Sequence, residues 1–355
     1  MSRRYAILAL ERFETDAKTA HGVIRYGSDE VVAVVDPACA GKRVRDVLPH
    51  LESDAPIVAS LGEALAFAPT ALLIGTAPKG GGLPASWRAA VLEAIAARLE
   101  IVSGLHEILA ADREFRDAAR AAGTTIWDVR EPPEVPIFSG DVYGVKPVVA
   151  LCVGNDCAVG KMTVALEMVR AANAAGPTAR FVPTGQTGIV IAGWGISIDR
   201  VIADFAAGAA EQLVLEAARS ECDAIFVEGQ GALNHPAYGP VTLALMSGCA
   251  PDALLLVCDP RRASIETYTT PTLGYRALIA IHEAILATIK PAEVVGIALN
   301  THGLSESEAR DEIARARIET GLPADDVVRF GAKAFYDEIA PRLVKRAPLI
   351  APVTA

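Results

Sequence analysis

The residues best equipped for chemistry are Gly154, Asn155, Asp156, Ala158, Val159, Gly160, Lys161, Met162 and Thr163, set in the stretch GNDCAVGKMT. This stretch follows an apolar run at 148–153 and opens an amphipathic pattern at 162–175, the strand-to-helix context that a phosphate-binding loop requires. Backbone amides there can surround a phosphate while Lys161 adds a positive point charge. Five residues separate the two glycines instead of the usual four, and Met162 stands where the common loop has the hydroxyl that ligates magnesium. An ordinary strand-to-helix turn is the plainer alternative.

Further polar clusters end the other apolar runs. Thr184, Gly185, Gln186 and Thr187 form a turn rich in donors and are read as substrate-binding. Glu228 and Gln230 follow in EGQG, with His235 five residues beyond Gln230. Glu228 is the first candidate for a general base, followed by Asp199 and His235; the alternatives are a structural carboxylate, a helix cap and a plain loop histidine. Asp199 and Asp204 are spaced to stand on successive turns of one helix. Arg261 and Arg262 could read a substrate carboxylate, or form a solvated charge pair. Lys79, in the glycine-rich GTAPKGGG after a first-half strand, lacks dinucleotide spacing and is weak evidence for such a ligand.

Parallel sheets account for this placement. Apolar runs at 148–154, 179–185, 224–228, 253–259 and 294–300 lack polar alternation, as expected of strands covered on both faces by helices. Such sheets bind ligands at the carboxyl ends of their strands. Runs at 5–10, 30–35, 71–74, 100–102 and 124–127 alternate with Ala-rich helical patterns such as 86–98, predicting a first α/β domain over 1–131. The Pro- and Gly-rich stretch 132–147 reads as a linker, leaving 148–355 for the second domain.

Bulk properties narrow the partners. A net charge of −10 argues against nucleic acid and anionic membranes as nonspecific partners, leaving a small-molecule substrate. Six scattered cysteines without a CxxC pair make neither a disulfide framework nor a zinc site, so no metal is expected. The short apolar run before Glu11 is too brief for a signal peptide or a span, and a cytoplasmic location is expected.

The five-residue loop spacing resembles dethiobiotin synthetase and its relatives. Taken together, GNDCAVGKMT, PTGQTGI, the segment 199–205, VEGQGALNHPAY and CDPRR resemble a bacterial and archaeal family long of unknown function, some of whose members are D-glutamate N-acetyltransferases. The resemblance spans nearly the whole chain, most specifically 148–262. It implies a Rossmann-like N-terminal domain followed by a P-loop NTPase-like parallel-sheet domain, acetyl-CoA as donor, a D-amino acid as acceptor, and a homodimer or higher homo-oligomer. The competing expectations are an ATP-dependent kinase or ligase, with Thr163 and Glu228 holding magnesium, and a non-catalytic nucleotide-binding regulator.

Overall fold

In the computed structural model, which describes residues 2–76 and 81–349, the apolar runs become strands in two separate parallel sheets. Lys79 and its neighbours at 77–80 lie outside the described residues. The first compact unit comprises the chain up to Pro132 together with Gln186–Ser197; the second comprises Pro133–Gly185 and Ile198–Ala355.

The first sheet contains β1 (Arg4–Leu8), β2 (Glu30–Val35), β3 (Ile57–Val58), β4 (Ala71–Ile74), β5 (Glu100–Ser103) and β6 (Ile126–Asp128). Its order, β3-β2-β1-β4-β5-β6, is that of a dinucleotide-binding doubly wound sheet. The connections carry helices α1 (Lys18–Tyr26), α2 (Val44–Val47), α3 (Leu61–Ala64), α4 (Arg88–Ala96) and α5 (Arg113–Ala122). In such sheets an acidic residue after the second strand commonly binds a ribose. Here Asp36 is buried, and its carboxylate accepts the amides of Glu11, Phe13 and Ala38, so it fastens the loop after β1 to the end of β2.

The second sheet contains β7 (Val148–Gly154), β8 (Ala179–Val182), β9 (Ala224–Val227), β10 (Ala253–Cys258), β11 (Glu293–Leu299) and β12 (Ala324–Asp325), in the order β12-β11-β10-β7-β9-β8. Six helices belong to this unit among the described residues; with α7 (Gln186–Ala192) assigned to the first unit, they are α6 (Lys161–Ala175), α8 (Ala203–Ala218), α9 (Gly239–Cys249), α10 (Tyr275–Leu286), α11 (Glu306–Thr320) and α12 (Ala332–Ile339). Because β7 lies between β9 and β10, the chain winds away from it in both directions. A crevice therefore opens at its carboxyl end.

The stretch read as a linker is, from Pro133 onward, built into the second unit. Glu211 of α8 is buried and accepts the amides of Ser139, Gly140 and Val142 at 2.6, 2.7 and 3.2 Å. A Cβ added at Gly208 would lie 2.0 Å from the Pro136 carbonyl oxygen, so this close approach needs glycine. At the opposite end of β7, the fully buried Asp252 accepts the amides of Val149 and Arg346 and pairs with Lys290 at 2.7 Å and Lys345 at 3.0 Å. It ties the last described segment to the sheet.

No described helix is long and apolar enough to cross a membrane.

His282 of α10 gives the unit an acid-labile point. It is completely buried, its Nδ1 contacts the Leu278 carbonyl oxygen at 2.7 Å, and its Nε2 has no hydrogen-bond partner. Burial pushes its pKa down to about 4; the Leu278 carbonyl opposes this and Lys161 adds to it. Since the unfolded imidazole titrates near 6.5, the unfolded chain binds the extra proton between those values. Stability present above about pH 6.5 is therefore lost as the pH falls toward 4, by as much as about 3 kcal/mol. Urea unfolding at neutral and mildly acidic pH should show this loss in the wild type and a flatter dependence in His282→Leu; parallel curves would assign the acid lability elsewhere.

Candidate functional site

The phosphate loop is shaped by constraints at each end. At Gly154, the last residue of β7, an added Cβ would stand 2.8 Å from the Val257 carbonyl oxygen, so the neighbouring strand leaves room for glycine alone. Asn155 is buried and forms a reciprocal pair with the Asp259 backbone, its Nδ2 donating to the carbonyl and its Oδ1 accepting from the amide, both at 3.2 Å. The chain then turns through two left-handed residues, Ala158 at φ 53° and Gly160 at φ 110°, into the first turn of α6. The amides that point out of a helix N-terminus and the helix dipole favour an anion.

Lys161 is nearly buried and folds back over this loop, its Nζ donating to the Asp156 carbonyl oxygen at 2.7 Å. Its stem runs beside Gly229, where an added Cβ would lie 2.9 Å from Lys161 Cδ and 1.7 Å from the Cys152 carbonyl oxygen. Met162 is buried, turning into the core the position that carries the magnesium hydroxyl in common loops, while Thr163 is half-buried. Val159 is also core, whereas Ala158 is exposed at the loop tip.

Asp156, with no exposed surface, joins the loop to the segment that follows β10. Its Oδ2 accepts from Arg262 at 2.6 Å and from the Glu266 amide at 2.8 Å, and its Oδ1 accepts from the Cys157 amide at 2.6 Å. His235 Nε2 stands 4.0 Å from that Oδ1, too far for a hydrogen bond. The His235 ring packs against Tyr238 at 4.6 Å and Tyr268 at 5.4 Å between centroids. Burial pushes its pKa below the ordinary imidazole value; Asp156 and Glu266 oppose the shift and Lys161 reinforces it.

Both arginines expected to read a substrate already face carboxylates of the chain. Arg262 braces Asp156, and Arg261 grips Asp259 through Nε at 3.0 Å and Nη2 at 2.7 Å. Burial would raise the Asp259 carboxyl, but Arg261 and Arg262 outweigh it and hold it below the usual carboxylate range.

Glu228 organises a second cluster. Its Oε2 accepts the amides of Thr184 and Gly185 at 3.0 and 3.1 Å, Thr184 Oγ1 donates to the Glu228 carbonyl, and Gln230 Nε2 donates to Thr184 Oγ1 at 3.1 Å. Thr242 of α9 closes the network by donating to the Gln230 carbonyl at 2.7 Å. Glu228 thus fastens the turn at Thr184 and Gly185 to the end of β9. The amide of Ile198 donates to the Thr184 carbonyl, which sets the exposed Asp199 beside this cluster.

One expectation fails. Asp199 and Asp204 do not share a helix: Asp199 belongs to the single turn Ile198–Arg200, and the extended backbone of Ile202 separates it from α8. Gln186 and Thr187 begin α7, which belongs to the first unit. There Thr187 is buried with its Oγ1 3.1 Å from Thr19 Oγ1 of α1. Sequence reasoning overlooked Asp259, Glu266, Tyr238 and Tyr268. The position of Asp259 at a strand end was a usable signal, whereas nothing local marks Glu266.

Family models match both parts of the chain: a domain of unknown function described as a DUF1611 N-terminal Rossmann-like domain over residues 37–132, and a DUF1611 C-terminal P-loop domain over residues 136–336. The chain belongs to the DUF1611 family. A crystal structure of a DUF1611 protein from Anabaena variabilis is 37% identical, superimposes with a TM-score of 0.90, and covers 96% of this chain and 100% of its own. The Rossmann-like and P-loop architecture is thus that of the family. Among curated relatives, a D-glutamate N-acetyltransferase of Tritonibacter scottomollicae is 39% identical over 285 residues, 79% of this chain and 84% of that protein. Another of the same name from a Pseudoalteromonas species is 35% identical over 274 residues, 77% and 82% of the respective chains. All the loop and strand-end clusters of the second unit fall within the DUF1611 P-loop match.

Proposed function

We propose that this chain moves an acetyl group from acetyl-CoA to the amino group of a D-amino acid, with D-glutamate the first acceptor to test. The supporting structural observation is a phosphate loop that keeps its lysine but buries Met162 at the magnesium-hydroxyl position. Coenzyme A carries phosphates that need cradling and no in-line attack, so such a loop suits it; the names of the two relatives support the same chemistry. In the reaction the amine attacks the thioester carbonyl, a carbon–nitrogen bond forms, the carbon–sulfur bond breaks and the CoA thiolate leaves. A base takes one proton from the acceptor ammonium before the attack, and the second proton, lost from nitrogen as the amide forms, goes to the departing thiolate. Glu228 and the exposed Asp199, both placed beside Thr184, are the candidates for that base.

The phosphate loop itself favours a second reading, magnesium-dependent phosphoryl transfer from ATP through Lys161 and Thr163. One assay separates the two: the purified chain with acetyl-CoA and D-glutamate, run with and without ATP and magnesium and followed by thiol release, ADP release and mass spectrometry of the acceptor. Acetylated product formed without nucleotide and unaffected by a metal chelator is expected. ADP release that needs magnesium, with no acetylated D-amino acid, would overturn acetyl transfer.

A further inference from the structure

His235 occupies an unusual electrostatic position at the mouth of the phosphate loop. Its Nδ1 accepts two backbone amides, from Ala237 and Tyr238, both at 3.1 Å. Its own carbonyl accepts the Gly239 amide at 3.0 Å, so the residue closes the turn that leads into α9. Pro236 lacks an amide hydrogen, so the two donors are the next amides along the chain. An N–H donor requires a lone pair on its acceptor. Nδ1 therefore carries no proton, and the neutral ring must carry its proton on Nε2.

Three consequences follow from that one placement. Protonating the ring would set an N–H at Nδ1 against two amide hydrogens and the positive end of α9, in a buried site that also faces Lys161; Asp156 and Glu266 are the opposing charges. Accepting a proton at Nε2 would require the other tautomer, which those same amides oppose. A cation could be imagined among Asp156, Cys157 and His235, whose ligand atoms all lie within 4.8 Å of one another, but coordination through Nε2 would have to strip the proton from that nitrogen. What remains is donation.

We propose that His235 is a fixed Nε2–H hydrogen-bond donor to an oxygen of the ligand held at the phosphate loop, and neither a base nor a metal ligand. The shared chemistry is an oxygen acceptor bearing full or developing negative charge, either a phosphoryl oxygen or the thioester carbonyl. The latter assignment rests on the acetyl-CoA reading; the tautomer does not. A neutral imidazole held beside a helix N-terminus is suited to polarising a carbonyl without giving up its proton.

The tautomer can be read directly in the wild-type full chain by long-range proton–nitrogen correlation of the histidine rings, with His235→Gln identifying the signal. An Nε2–H pattern unchanged from about pH 5.5 to about pH 8.5, across the ordinary imidazole range, is expected. An Nδ1–H pattern, or titration near 6.5, would overturn the proposal. In kinetics, His235→Ala should lower turnover about 100- to 1000-fold if the acceptor is the acyl oxygen. Weaker CoA binding with turnover at saturation preserved would place the acceptor on a phosphate. In both cases the acidic limb of the pH–rate profile should survive, and His235→Gln, which can offer an amide N–H, should recover part of the loss. Disappearance of that limb, or no effect on affinity or turnover, would overturn the assignment. A wild type that acetylates nothing would sink the acetyl-transfer reading and leave the tautomer measurement standing.

Discussion

Asp252→Ala should destabilise the second unit by about 3–5 kcal/mol, the range for breaking one side of a buried ion pair. The substitution strips Lys290, itself 1% exposed, of its carboxylate and leaves the ammonium with the Ala250 carbonyl at 2.7 Å. It also removes the acceptor of two backbone amides, Val149 at the start of β7 and Arg346 near the end of the described chain. Burial pushes the Lys290 pKa down while Asp252 pulls it up, so removing the acid removes the force that keeps the amine charged. The melting temperature should fall by on the order of 10 °C. Replacing both partners with apolar residues of similar volume, as in Asp252→Leu with Lys290→Met, should cost much less. A single-variant loss below about 1 kcal/mol would show that the pair is effectively solvated.

Lys161→Met should weaken CoA and acetyl-CoA binding roughly 10- to 100-fold, the value of a hydrogen bond to a charged partner. Methionine keeps an apolar stem against Gly229, so the loss measures charge rather than packing; Lys161→Ala adds a cavity and should lose both affinity and stability. Calorimetric titration of the two variants and the wild type checks this. If Lys161→Met binds CoA within about twofold of wild type, an effect of only about 0.4 kcal/mol, the loop is not the phosphate site.

Much of this fold was legible because parallel strands leave short apolar or β-rich runs between helical patterns, and the ten runs read as strands lie at or within a few residues of observed ones. The two-residue strands β3 and β12 are too short to leave a pattern. The phosphate loop was readable from its glycines and lysine, since its shape is local. The partner of Arg262 was not. Asp156 lies 106 residues from Arg262 in the chain, and only the neighbouring of β7 and β10 brings them together. The tautomer of His235 was likewise hidden, although its bonding partners are two and three residues away, because it depends on the turn taken at Pro236.

The passage of Gln186–Ser197 into the first unit bears on how such a protein can be taken apart or inherited. A cut near residue 133 would leave α7, whose Ile189, Val190 and Ile191 are buried in the intact protein, on the C-terminal fragment and away from the unit to which that helix belongs. The first unit expressed alone would lack the same helix. Exchange of either half between homologues therefore moves a mismatched piece of the other, and the two halves are best regarded as one unit of recombination.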